Sequence, residues 1–143
     1  MRISGGCRCG NISFVLTLEP APAELPARAC SCSFCTTHDG VWTSHPSGVL
    51  KVNLREPERV SIHTFATGTA QFHICGACGA VPVVTSRIDG RLYAVVNVNA
   101  FGDIGSVALR SGSANFDGES EEARLARRRR NWIADVEFVN GAA

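Results

Sequence analysis

Seven cysteines in 143 residues, gathered into three tight clusters, constrain this chain more than any other feature. They read Cys7-Arg8-Cys9-Gly10, then Cys30-Ser31-Cys32-Ser33-Phe34-Cys35, then Cys75-Gly76-Ala77-Cys78-Gly79. Idle thiols at that density are targets for oxidation, so the clusters need an occupation. The opening MRISGGCRCG lacks the apolar stretch of a signal peptide, and Pro- and Gly-broken segments follow it. The expected compartment is therefore cytoplasmic. Disulfides are rare there, and metal binding is the leading use for paired cysteines.

Spacing divides the seven into four and three. Two residues between Cys75 and Cys78 let both sulfurs converge on one ion, and the glycine that follows frees backbone amides to point at sulfur. Cys7-Arg8-Cys9-Gly10 is a tighter version of the same device. Joined, the two pairs predict a four-thiolate zinc site, closed and structural, built from loops far apart in sequence. Cys30, Cys32 and Cys35 remain. Three thiolates and one open position form the pattern of a metal that meets substrate or water. His38 follows Cys35 by three residues and has three readings: a fourth ligand that closes the site, a proton-transfer residue near it, or a polar surface histidine. Spacing leaves all three open.

The rest of the chain reads as one globular domain, residues 1–143. Hydrophobic residues make up 45% and charged residues 19%, and the net charge of +1 argues against nucleic acid or an anionic membrane as partner. No apolar run is long enough to span a membrane. Glu19 to Ala27, with three prolines, reads as an extended loop. Ile12 to Leu18 and Arg59 to Phe65 alternate as strands do, and Val81–Thr85 and Leu92–Val98 flank an Asp89-Gly90 hairpin turn. Asn97 and Asn99 fall on one face of that second strand, as pocket lining or as ties for a loop. One helix is expected over about 119–131, acidic at its start and basic at its end. Its RRRR run reads as a solvated helix end balanced by nearby glutamates. A last short strand is expected over Ala134–Val139. Phe34 and Trp42 read as core, and His45, His63 and His73 as surface or internally bonded histidines.

The order GGCRCG, then CSCSFC, then C-x-x-CG before a hairpin resembles the glutathione-dependent formaldehyde-activating enzyme (GFA) family, also known as the centromere protein V-like domain. YAVVNVNAF and the closing DGES and RLARRRRNW look like one branch of it. The resemblance implies a mostly-β, β-tent-like single domain of short antiparallel strands with one C-terminal helix and two zinc sites. By that likeness Cys7, Cys9, Cys75 and Cys78 hold a structural zinc, and Cys30, Cys32 and Cys35 a labile, catalytic one. The implied activity is that of a carbon–sulfur lyase making S-hydroxymethylglutathione from glutathione and formaldehyde, with His38 near the metal as proton donor. Arg8, Arg28, Arg55, Arg87 and Arg91 are candidates to hold the carboxylates of such a thiol, and sequence does not choose among them. Two other classes compete: a zinc-stabilised binding module without catalysis, and a thiol redox sensor whose clustered cysteines carry no metal.

Overall fold

The computed structural model describes residues 1–30, 40–64, 69–102, 108–114 and 119–140, with Cys30 described by its backbone. The chain is mostly β. Four strands form a smaller sheet in the order β1 (Arg2–Gly6), β2 (Ile12–Thr17), β5 (Val49–Leu54), β11 (Asp135–Asn140). Seven form a larger one in the order β10 (Leu109–Ala114), β3 (Leu25–Cys30), β4 (Val41–Thr43), β9 (Arg91–Asn97), β8 (Val83–Ile88), β7 (Gln71–Cys75), β6 (Val60–His63). Most neighbours are antiparallel. β10 beside β3 and β11 beside β5 are parallel pairs, closed by segments distant in sequence.

Alternation explains why the two sheets face each other. Ile12, Phe14 and Leu16 of β2 are buried while Ser13, Val15 and Thr17 between them are half-buried. These side chains, with Ile3, Leu50 and Val52, meet Cys75, Val83, Ala94 and Val96 of the larger sheet in one apolar cluster. The Asp89-Gly90 hairpin forms as its sequence predicts. Both residues have positive φ, +52° and +80°, which matches the twist of a two-residue turn to that of its strands.

The helix α1 (Glu121–Asn131) covers the opposite face of the larger sheet. Ser120 caps it, its hydroxyl accepting from the Ala123 amide at 3.1 Å, so the helix begins two residues later than Glu119. Trp42, Phe72, Val84, Tyr93 and Val95 pack beneath it with Trp132, and Trp42 meets Phe72 edge to face. Both faces of β9 are therefore buried. The Tyr93 and Val95 side, the face on which Asn97 falls, is buried as is the side of Ala94 and Val96. The strand ends at Asn97, and Asn99 lies in a short 3-10 turn over Val98–Ala100. β3 starts at Leu25, inside the proline-rich stretch read as loop. Pro26 is tolerated there because β4 pairs only with Arg28 and Ala29, so no N–H is needed on that side. The arginine run also departs from expectation. Arg129 and Arg130 are exposed, but Arg128 is 7% exposed, with Nη1 donating to Thr69 and Ser86 and its guanidinium over the Trp132 ring.

Candidate metal centre

Two turns of nearly identical build meet where the sheets join. The first follows β1. The Cys7 amide donates to the Ile12 carbonyl at 2.8 Å, and the Gly10 amide returns to the Cys7 carbonyl at 3.1 Å. The second follows β7. The Cys75 amide donates to the Ala80 carbonyl at 2.9 Å, and the Gly79 amide returns to the Cys75 carbonyl at 2.8 Å. Each turn closes on a glycine in the left-handed region, Gly10 at φ +80° and Gly79 at φ +78°, where a β-carbon would be strained. β1 belongs to the smaller sheet and β7 to the larger, so the turns bring four sulfurs together across the sheet boundary.

The sulfurs of Cys7, Cys9, Cys75 and Cys78 all lie within 4.8 Å of one another. Cys7 to Cys9 is 3.5 Å and Cys9 to Cys75 is 3.4 Å. A disulfide would need about 2.05 Å, and all four thiols are unbridged. A tetrahedron with zinc–sulfur bonds of about 2.3 Å has edges of about 3.8 Å. The cluster is therefore of the size that a single zinc ion requires, and it could hold one with little adjustment.

The surroundings fit a cation as well. Cys7 and Cys75 are buried against the apolar cluster between the sheets, while Cys9 and Cys78 lie towards solvent. Burial pushes the Cys7 thiol up to about 12, although the Ile12 amide donates to its sulfur at 3.2 Å. Burial raises Cys75 too, against the amides of Cys78 and Ala77. At Cys78 burial pulls the same way, but amides of Ala80, Cys9 and Arg8 outweigh it and hold the thiol down to about 6. Backbone N–H groups thus converge on the sulfurs as they do around thiolate ligands. A divalent cation would supply the remaining compensation for negative sulfur in so small a space.

The other predicted residues divide differently. Cys32, Cys35, His38 and Phe34 lie outside the described residues. Cys30 is at the C-terminal end of β3, which runs in the same direction as β7. Both therefore leave the larger sheet at the same end, from positions on either side of its middle. Four strand steps separate them, on the order of 19 Å at the usual spacing, too far for the Cys30 backbone to serve the four-sulfur cluster. Asn97 stands between. Its Oδ1 accepts from the Val41 amide at 3.4 Å and the Asn99 amide at 3.1 Å, and its Nδ2 donates to the Val81 carbonyl at 3.2 Å. Buried and internally bonded, Asn97 ties loops down rather than lining a pocket. Trp42 is core, as expected. His73 is buried, bonded to Thr85 at 2.8 Å, and burial lowers its pKa to about 4; it is an internally satisfied histidine.

A two-sheet β protein pinned at one corner by a four-cysteine cluster that could hold a metal is the class that these observations define. The sequence profile described as glutathione-dependent formaldehyde-activating enzyme matches residues 2–112, and the chain belongs to that family. All seven cysteines fall inside the matched span, whereas α1 and β11 lie beyond it. A solved protein of Rhodobacter sphaeroides, a structural genomics target, is similar at 26% identity over 75% of this chain and 99% of that one, with a TM-score of 0.51. Membership associates the chain with glutathione-dependent formaldehyde activation and related carbon–sulfur lyase chemistry. Among the described residues no helix is long and apolar enough to cross a membrane.

Proposed function

We propose that residues 1–143 form one domain that acts as a zinc-dependent carbon–sulfur lyase on a small thiol adduct, with glutathione and formaldehyde as the first pair to test. The observation that carries this reading is the family match across all seven cysteines, four of which converge at the distances a zinc ion needs. In this reading Cys7, Cys9, Cys75 and Cys78 hold a structural zinc that fastens the two sheets. Cys30, Cys32 and Cys35 hold a second ion with an open position. A zinc there would favour the thiolate form of a bound thiol at neutral pH and polarise a carbonyl oxygen.

The reaction joins the thiol sulfur to the aldehyde carbon. The carbonyl π pair moves to oxygen, and the proton lost by the thiol ends on that oxygen, so no further reactant is needed. His38 is the residue proposed to carry the proton, three positions from Cys35. The work suits a reducing, cytoplasmic compartment, where exposed thiols such as Cys9 and Cys78 stay unbridged.

The test is formation of S-hydroxymethylglutathione from glutathione and formaldehyde, followed by magnetisation exchange between free and bound formaldehyde. Zinc-loaded protein should accelerate the exchange and Cys32→Ser should abolish the acceleration. Equal rates with and without protein, at a measured content of two zinc ions per chain, would leave the binding-module reading in its place.

A further inference from the structure

Five arginines are candidates for holding the carboxylates of a thiol substrate, and the fold separates them. Arg87 and Arg91 sit at the hairpin tip, donating to the carbonyls of Gly90 and Ala134. Arg8 lies in the first cysteine turn, and the Arg55 guanidinium approaches Gly10 of the same turn. Arg28 alone of the five lies on β3, two residues before Cys30 and on the order of 7 Å from it along the strand.

The environment of Arg28 is unusual for a half-buried cation. Its Nη2 donates to the Ser44 hydroxyl at 2.8 Å, and that hydroxyl donates in turn to the Asn131 carbonyl at the end of α1, at 2.7 Å. Ser44 is 3% exposed, so the guanidinium is fixed at one corner by a buried, neutral partner. A guanidinium carries five N–H donors, and no carboxylate among the described residues bonds to Arg28. The nearby carboxylates are engaged elsewhere: Glu119 bonds Arg127 twice at 3.1 Å, and Glu24 bonds Arg110 at 3.1 Å. Among the described residues, the fork is thus held in place at one corner and meets no carboxylate.

We propose that Arg28, oriented by Ser44 and the end of α1, is the positioning residue that docks a carboxylate of the thiol substrate beside the Cys30 cluster. This rests on the thiol-lyase reading above. It adds a role for α1, which lies outside the span matched to the family. Planar bidentate pairing with carboxylate is what a pre-oriented guanidinium does best.

The experiment compares glutathione with its diethyl ester, which keeps the thiol and removes both carboxylates. Binding to the zinc-loaded full chain is measured by calorimetry, and turnover with formaldehyde in parallel. The parent protein should bind the acid more tightly than the ester. Arg28→Met should weaken the acid about 10–100-fold and leave the ester unchanged, with zinc content as in the parent. Arg28→Lys, which keeps the charge and most of the packing, should retain a reduced preference for the acid. Equal loss of acid and ester in Arg28→Met would make Arg28 a scaffold residue and overturn the proposal. So would a parent that binds both alike, a result obtained without any variant. Turnover of both thiols without discrimination would remove only the role of Arg28. Binding and turnover of neither would remove the thiol-lyase reading and the proposal together.

Discussion

The two cysteine-bearing edges of the larger sheet differ in what they hold together. At the end of β7, Cys75 and Cys78 reach across to Cys7 and Cys9, and the inner pair of sulfurs is part of the apolar cluster that both sheets share. At the end of β3, Cys30 follows an arginine whose polar partners are a serine and, through it, a helix end. The first edge joins layers. The second belongs to one layer, and among the described residues its arginine bonds no carboxylate. On the proposed reading, a metal at the first would be tied to folding, whereas chemistry at the second could vary with little effect on the sheets.

The largest test of that difference is loss of a ligand at each edge. Cys75→Ser should remove one zinc ion and unfold the chain or leave it insoluble. Structural zinc sites bind with on the order of 10–16 kcal/mol, comparable to the whole stability of a domain. Cys32→Ser should keep native circular dichroism and lose the other ion. Unfolding by both variants to the same degree would erase the distinction.

Next in size is Gly6→Ala. A β-carbon at Gly6 would lie 2.3 Å from the Ile12 carbonyl oxygen, the acceptor that fixes the Cys7 amide. The cost should be about 3 kcal/mol, read as a lower urea midpoint with unchanged slope. An unshifted midpoint would mean that the first cysteine turn is not held as tightly as its hydrogen bonds indicate.

Asn97→Ala sharpens the comparison, because Asn97 braces Val41 at one edge against Val81 at the other. Leaving those buried groups without partners should cost about 2 kcal/mol. Metal should leave the Cys30 cluster faster on chelation, while the four-cysteine ion stays. Unchanged release from both would limit Asn97 to capping its own 3-10 turn.

The smallest effect is expected at Glu119. Its bonds to Arg127, aided by Arg124, hold its carboxyl below the usual range despite some burial. A depressed folded-state pKa contributes stability above the unfolded value of about 4.3, which is lost as pH falls through the folded value. Glu119→Gln should therefore cost within about 1 kcal/mol at pH 7 and flatten the melting temperature profile only below about pH 4.5. An equal effect at all pH values would assign the loss to packing.

Several of these features are legible in the sequence. The four-sulfur cluster follows from paired cysteines with a glycine after each pair, since only such turns aim two thiols and several amides at one point. β2, the Asp89-Gly90 hairpin and α1 follow from period and turn chemistry, because each is set by residues a few positions apart. What sequence does not reveal depends on distant partners. Pro26 enters a strand because β4 is short. Tyr93 and Val95 are buried because α1 lies over them. Arg128 is buried because hydroxyls of Thr69 and Ser86 receive it. Arg28 is singled out from five arginines only by the path of β3 and the position of Asn131, both products of the folded topology.

The most direct test of the two-edge account is X-ray absorption at the zinc edge on the Cys30→Ser, Cys32→Ser, Cys35→Ser triple variant. The account predicts a folded protein with one zinc per chain, bound by four sulfurs at about 2.3 Å. A variant without zinc, or a remaining ion with nitrogen or oxygen among its ligands, would contradict it.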